Sequence, residues 1–211
     1  MLELDKGANA PIPAHAVRVT LSWDGRAGVP NVDASAVLCG SNGLVASDAD
    51  FVFFNQATHP SGAVRHLGKS TASDSLAVDL SLLSESIDRI ALVGSSNGGT
   101  FGQVPALVLT VTDVASGQDL VQFHPDATTE TALVAGELYR RAGSWKFRAV
   151  GQGYRDGLAG LARGFGIHID DPKPVSPVSP VARSTPDSSL KPLRPTAIDW
   201  MNPPVPAGYE L

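Results

Sequence analysis

The segment Gly136–Tyr154, GELYRRAGSWKFRAVGQGY, reads as two strands folded back on one another and followed by a Gly-Gln-Gly corner. With a two-residue turn at Ala142-Gly143, Arg141 faces Ser144, Tyr139 faces Lys146 and Glu137 faces Arg148. These six side chains then share one face, while Leu138 and Phe147 point the other way. Glu137 and Arg148 form an opposite-charge cross-strand pair, a contribution of about 0.2–1 kcal/mol. Alanine lacks the tolerance for positive φ that such a turn requires, so a longer, bulged loop with slipped pairing is the competing arrangement. The same segment gathers Arg140, Arg141, Lys146 and Arg148 within a few residues of one another, in a chain whose net charge is −5.

Working outward, Val17, Val19, Leu21 and Trp23 alternate with Arg18, Thr20 and Ser22, the period of a strand with one buried face. Further strands are expected at 34–39, at 51–54 (FVFF), and at 76–80, 89–94, 106–112 and 119–123. All are short, bounded by turn residues, with no long helical period between them. That pattern excludes a doubly wound parallel sheet and predicts a mainly β protein, an antiparallel β-sandwich of two packed sheets. After the hairpin, Leu158, Leu161, Ala162 and Phe165 have the spacing of a short amphipathic C-terminal helix, with Asp156 as N-cap and Gly166 as its stop.

The sandwich domain is expected over 1–169. A Pro/Ser-rich linker follows at 170–196, where the composition turns extended and poor in apolar bulk. The last stretch, 197–211, regains Trp200 and Tyr209. Aromatic residues are costly to leave in water, so this tail is expected to dock, either on its own domain or on a partner.

Composition narrows the function. A chain of 211 residues that is 43% hydrophobic can bury a sizeable core. A pI near 5.4 argues against nucleic-acid binding. No window approaches the roughly 20 apolar residues of a membrane helix. The N-terminal residues lack the basic-then-apolar pattern of a secretory signal, so a cytoplasmic protein is expected. The single cysteine, Cys39, can form neither an internal disulfide nor a Cys-based zinc site.

Several ordered blocks resemble the TerD family of tellurium-resistance and general stress proteins. They are LDKGANAPI (4–12), SWD (22–24), VDASAVL (32–38), FVFFNQ (51–56), SGAVRHLG (61–68), FGQV (101–104) and, most densely, ETALVAGELYRRAGSWKFRAVGQGY (130–154). The resemblance covers about residues 1–168 and implies a β-sandwich. Where this chain has Ala-Gly, the family often has Asn-Gly, which supports the tight turn. The resemblance also implies a link to tellurite and chemical stress, with partners among other stress-response or TerD-family proteins, in assemblies at the inner face of a membrane.

The family is associated with calcium held by acidic loops, since Ca²⁺ takes about 6–8 oxygen ligands. Here the sequence departs from the pattern. After RHLG comes KSTASDSLA (69–77), which opens on a lysine and holds one acid, Asp74; GSSNGGT (94–100) holds none. The remaining metal candidates are Asp24, Asp33, Asn55 and Asp74, a set that would hold Ca²⁺ weakly at best. Asp33 and Asn55 have turn capping as their ordinary role. Asp48 and Asp50 lack an EF-hand's spacing.

Catalytic constellations are missing from the sequence. His15, His59, His66, His124 and His168 are scattered, no G-x-S-x-G elbow is present, and GSSNGGTFG lacks the Lys-Ser/Thr of a phosphate loop. The expected protein is therefore not an enzyme. It is a binding or scaffold module with a degenerate calcium site, and Arg141, Lys146, Arg148, Trp200 and Tyr209 are its candidate partner contacts. A calcium sensor with a working loop site is the alternative.

Overall fold

The hairpin forms in the expected register. Two strands, Ala132–Arg141 and Ser144–Tyr154, pair Glu137 with Arg148, Leu138 with Phe147, Tyr139 with Lys146 and Arg141 with Ser144. Both turn residues take positive φ, +49° at Ala142 and +75° at Gly143, the requirement of a tight turn whose twist matches its strands. A left-handed alanine costs about 1–2 kcal/mol, and the long ladder behind the turn offsets it. The expected corner at Gly151 is not there. The strand runs on to Tyr154 through a bulge opposite Val134–Gly136, and Gly151 absorbs it at φ +59°. Leu133 and Ala132 pair with Gly153 and Tyr154 beyond it, which keeps the backbone groups of this stretch hydrogen-bonded.

The computed structural model describes residues 1–167. They lie within the first of two units into which the chain divides, Met1–Asp171 and Pro172–Leu211. The expected linker and the docking tail with Trp200 and Tyr209 lie outside the described residues. In chain order the strands are β1 (Leu2–Leu4), β2 (Asn9–Pro11), β3 (Ala16–Ser22), β4 (Asn31–Cys39), β5 (Phe51–Val52), β6 (Val64–Lys69), β7 (Ser73–Asp79), β8 (Arg89–Asn97), β9 (Val108–Asp113), β10 (Asp119–Phe123), and the hairpin strands β11 and β12. Helix α1 spans Gly157–Gly164, after Asp156.

The strands form two six-stranded sheets, β1-β10-β9-β3-β7-β6 and β2-β12-β11-β8-β4-β5. All ladders are antiparallel except β1 with β10 at an edge. The inner faces pack on one another. Val17, Val19 and Leu21 of β3, with Leu109 and Val111 of β9, meet Leu38, Ile90, Leu92, Leu138 and Phe147 of the second sheet. A second apolar layer covers the outer face of that second sheet. There Val37, Cys39, Ala91 and Val93 lie under Leu161 and Ala162 of α1. Period-two alternation on β4 thus buries both of its faces for most of its length, and only its first residues, near Asp33, leave this cover. FVFF does not continue as one strand. It pairs with β4 at Phe51 and Val52 only, and Phe53 then bridges Gln56 around a tight turn at Phe54-Asn55.

Candidate functional site

The acidic candidates gather at one end of the sandwich but do not face one another across an open cage. Asp74 is 1% exposed on β7. Its carboxylate accepts the Ala34 amide at 2.8 Å, the Ser75 amide at 2.9 Å and His66 Nε2 at 2.8 Å. Asp33, the residue before Ala34, binds Lys69 Nζ at 2.7 Å. Lys69 is the cross-strand neighbour of Asp74 and also lies 6.0 Å from the centre of the Trp23 ring. Asp24 pairs with Arg26 at 2.8 Å, and Asn55 is an exposed turn residue. Of the four candidates, then, the fold brings Asp33 and Asp74 into one neighbourhood and leaves Asp24 and Asn55 in separate contacts. Among the described residues, no group of three or more His, Cys, Asp or Glu side chains is placed to hold a metal ion. This donor set does not fit Ca²⁺. The ion requires several ionised oxygens that are not already held. Here an ammonium neutralises one carboxylate, and amide and imidazole donors saturate the other.

Among the described residues three histidines have carboxylate partners: His124 meets Glu3 at 3.7 Å on the surface, whereas His66 and His59 have buried ones. His66 is 6% exposed in its side chain and points inward to Asp74, whereas the adjacent Arg65 on β6 is exposed, so the two do not converge on one pocket. His59 connects a relay that sequence spacing alone does not reveal. Its Nε2 lies 3.0 Å from Asp50 Oδ1 and its Nδ1 lies 2.7 Å from Ser61 Oγ. Nδ1 also accepts the Ser61 amide, which fixes the proton on Nε2. The order Ser–His–Asp is that of a nucleophile relay, but the surrounding turn provides no oxyanion donors. The Gly62 amide donates to His59 O and the Ala63 amide to Ser61 Oγ. Asp50 also accepts the Ala46 and Ser47 amides, so the relay fastens the loop between β4 and β6. Cys39 is buried, and that burial pushes its thiol up to about 11, which leaves it without thiolate reactivity at neutral pH.

The basic hairpin divides between two faces. Arg140 lies opposite the other cations. It donates to the Leu83, Ser84 and Ile87 carbonyls and stacks 4.6 Å from the Trp145 ring, so it clamps a loop rather than adding to the basic surface. On the outer face, Glu137 is 6% exposed between Arg148 at 3.2 Å and Arg89 at 3.4 Å. Arg148 covers the Tyr139 ring at 5.0 Å. Lys146 reaches Asn9 Oδ1 at 3.4 Å, and Arg141 is exposed. The outward cations Arg141, Lys146 and Arg148 thus share the face on which Glu137 is buried between Arg148 and Arg89.

A cleft of about 260 Å³ lies at the other end of the same outer face, past the edge of α1. Asp33, Ser35 and Asn97 lie along it, between Phe53, Phe54 and Leu158. Sequence reasoning missed Ser35. Its one signal is a polar residue at an outward position within the apolar run of DASAVLC.

Comparison with known proteins gives this architecture a family. Residues 1–165 match the TerD domain. Tellurium resistance protein TerD of Serratia marcescens is 36% identical over 188 residues, spanning 79% of this chain and 98% of that protein. Chemical-damaging agent resistance protein B of Clostridium acetobutylicum is 36% identical over 139 residues, 60% of this chain and 100% of that one. General stress protein 16U of Bacillus subtilis (strain 168) is 33% identical over 152 residues, 66% and 79% of the two chains. A crystal structure described as a homologue of telluride resistance protein (TerD), from Streptomyces coelicolor A3(2), superposes with a TM-score of 0.58 at 20% identity, over 71% of this chain and 95% of that one. A second, described as a protein of unknown function, gives 0.60 at 20% identity over 74% and 99%. The solved structures share the fold, and the match over residues 1–165, with relatives 36% identical, shows that the chain belongs to the TerD domain family.

Proposed function

We propose that this chain is a non-enzymatic binding or scaffold protein of the stress response. It contributes to tellurite and chemical-stress resistance through contacts with other stress-response or TerD-family proteins, in the cytoplasm and in assemblies at the inner face of a membrane. The names of its relatives support the stress connection. One observation carries the scaffold reading over a calcium sensor. The loop-end carboxylates are already held within the chain, Asp33 by Lys69 and Asp74 by Ala34 N and His66, whereas the hairpin turns Arg141 and Lys146 outward.

Cations presented on an acidic protein create a local field that attracts an acidic partner. Charge reversal at Arg141 and Lys146 tests this directly. The folded double variant is expected to lose its partners in affinity purification, and unchanged recovery would show that the face is only solvated surface. Calorimetric titration of the metal-free protein with Ca²⁺ tests the competing sensor. No heat is expected at micromolar calcium, and a micromolar isotherm abolished by Asp33→Ala would establish the sensor instead.

A further inference from the structure

The outer face of the hairpin gathers its charges around one phenol. On β11, Glu137, Tyr139 and Arg141 alternate onto this face. Across the ladders Tyr139 has Arg89 of β8 on one side and Lys146 of β12 on the other. Arg148, the cross-strand partner of Glu137, stacks on the Tyr139 ring at 5.0 Å. Directly opposed residues lie about 5 Å apart at Cβ, and alternate residues of one strand about 7 Å. Tyr139 therefore has four cations within side-chain reach, and among the described residues its hydroxyl has no hydrogen-bond partner.

These charges are not cancelled within the group. Glu137 is its one carboxylate, so four cations meet a single anion. Glu137 takes Nη1 of Arg89 and Nη1 of Arg148, and the two arginine side chains remain 42% and 46% exposed. It fixes both guanidiniums and leaves their other N–H donors to an outside acceptor. Lys146 has a neutral partner, Asn9 Oδ1 at 3.4 Å, and Arg141 has no hydrogen bond or ion pair among the described residues. The next carboxylates lie elsewhere. Alternation from Arg89 puts Asp88 on the opposite face, where its carbonyl accepts the Arg140 amide. Asp50 precedes β5, beyond β4, and is bound to the Ala46 and Ser47 amides and to His59.

The ligand follows from charge and donor number. A carboxylate offers one negative charge and two oxygens, fewer than this set can use. A phosphate monoester carries about −1.5 to −2 charges and three strong acceptor oxygens, and clustered arginines bind it through charge-assisted hydrogen bonds. The donors come from three adjacent strands of one sheet face, across which the chain that carries the phosphate can lie. We propose that the hairpin face receives a phosphorylated side chain of a partner protein, its phosphate seated over Tyr139 among Arg89, Arg141, Lys146 and Arg148. The protein source rests on the scaffold reading above, and the phosphate chemistry rests on this geometry.

The test uses the full chain labelled for amide NMR and a five-residue peptide with phosphothreonine between glycine pairs, its ends blocked. A peptide with glutamate at the central position is the control. The phosphopeptide is expected to give saturable shifts at Arg89, Glu137–Arg141 and Ser144–Arg148, and to bind about tenfold more tightly than the control. Tyr139→Phe keeps the ring under Arg148 and removes its hydroxyl, and Lys146→Ala removes an outward ammonium. Both should fold normally, and each should weaken the phosphopeptide about tenfold. Shifts that stay linear to the highest concentration would overturn the proposal. So would equal binding of the glutamate peptide, or affinity unchanged in both variants. Sedimentation with phosphatidylglycerol vesicles, lost in Arg141→Glu and without peptide binding, would overturn it in favour of a membrane. The scaffold reading fails separately. If the phosphopeptide binds while the charge-reversed double variant keeps its partners, the phosphate chemistry stands and its protein source is refuted. If the phosphopeptide fails while that variant loses its partners, the phosphate is refuted and the scaffold reading stands.

Discussion

The two ends of one sheet face treat their polar groups in opposite ways. At the hairpin end, Glu137 is enclosed by Arg89 and Arg148, and Arg140 satisfies three carbonyls. At the cleft end, Ser35 is as deeply buried as Glu137 and its hydroxyl has no partner among the described residues. The first arrangement holds the chain in place. The second leaves bonding capacity that the fold itself does not use. Charge density alone therefore overstates the hairpin's free surface, because Arg140 and Arg148 are engaged in structure and Arg141 and Lys146 are the cations it turns outward.

Perturbing the two ends separately breaks or sharpens the contrast. The largest effect is expected from Arg89→Ala with Arg148→Ala. Together they leave Glu137 as an uncompensated buried carboxylate, with a loss of about 3–5 kcal/mol in urea unfolding. Arg140→Ala comes next, at about 2 kcal/mol, since it removes charged hydrogen bonds to the 83–87 loop and the stack on Trp145. Ser35→Ala at the other end should have the opposite sign and raise the unfolding free energy by about 1 kcal/mol, because the hydroxyl it deletes has no bond to lose. If Ser35→Ala destabilises as Arg140→Ala does, the two ends are alike and the contrast fails.

The smallest effect lies outside both ends. The Ser81 hydroxyl, foremost, holds the Asp79 carboxyl below its usual range. A lowered folded value means that the contribution to stability is present at neutral pH and fades as pH falls through that lowered value. Ser81→Ala should move the Asp79 titration, followed by carboxyl NMR, back up toward the ordinary aspartate range, with little change in stability because the group is exposed.

Much of this fold is legible in the residues. The β11–β12 register follows from the alternation of Glu137, Leu138 and Tyr139 against Lys146, Phe147 and Arg148. The helix follows from the spacing of Leu158, Leu161, Ala162 and Phe165. By contrast, β1 and β2 are three-residue edge strands, too short to display a period, and β6 has only Val64 buried, so no alternation marks it. The bulge at Gly151 resembles a chain reversal in sequence, because glycine suits both.

The site was less legible, for a related reason. Asp33 and Lys69 are far apart in the chain and meet only because β4 and the end of β6 lie close in the fold. The His59–Ser61 contact is local, yet its anchoring carboxylate, Asp50, is set by a loop conformation that no residue pattern encodes. Whether Ser35 finds a partner depends on everything packed around it.

The Lys69–Asp33 pair has a consequence for how this end of the molecule behaves. A dissolved counter-ion leaves when its supply falls, so any geometry it imposes follows its concentration. An ammonium carried by the chain's own backbone cannot diffuse off; its effective concentration at Asp33 is fixed by the stem that carries it. The pair that closes these loops is accordingly expected to be in place at low divalent levels too, and to weaken as salt screens it.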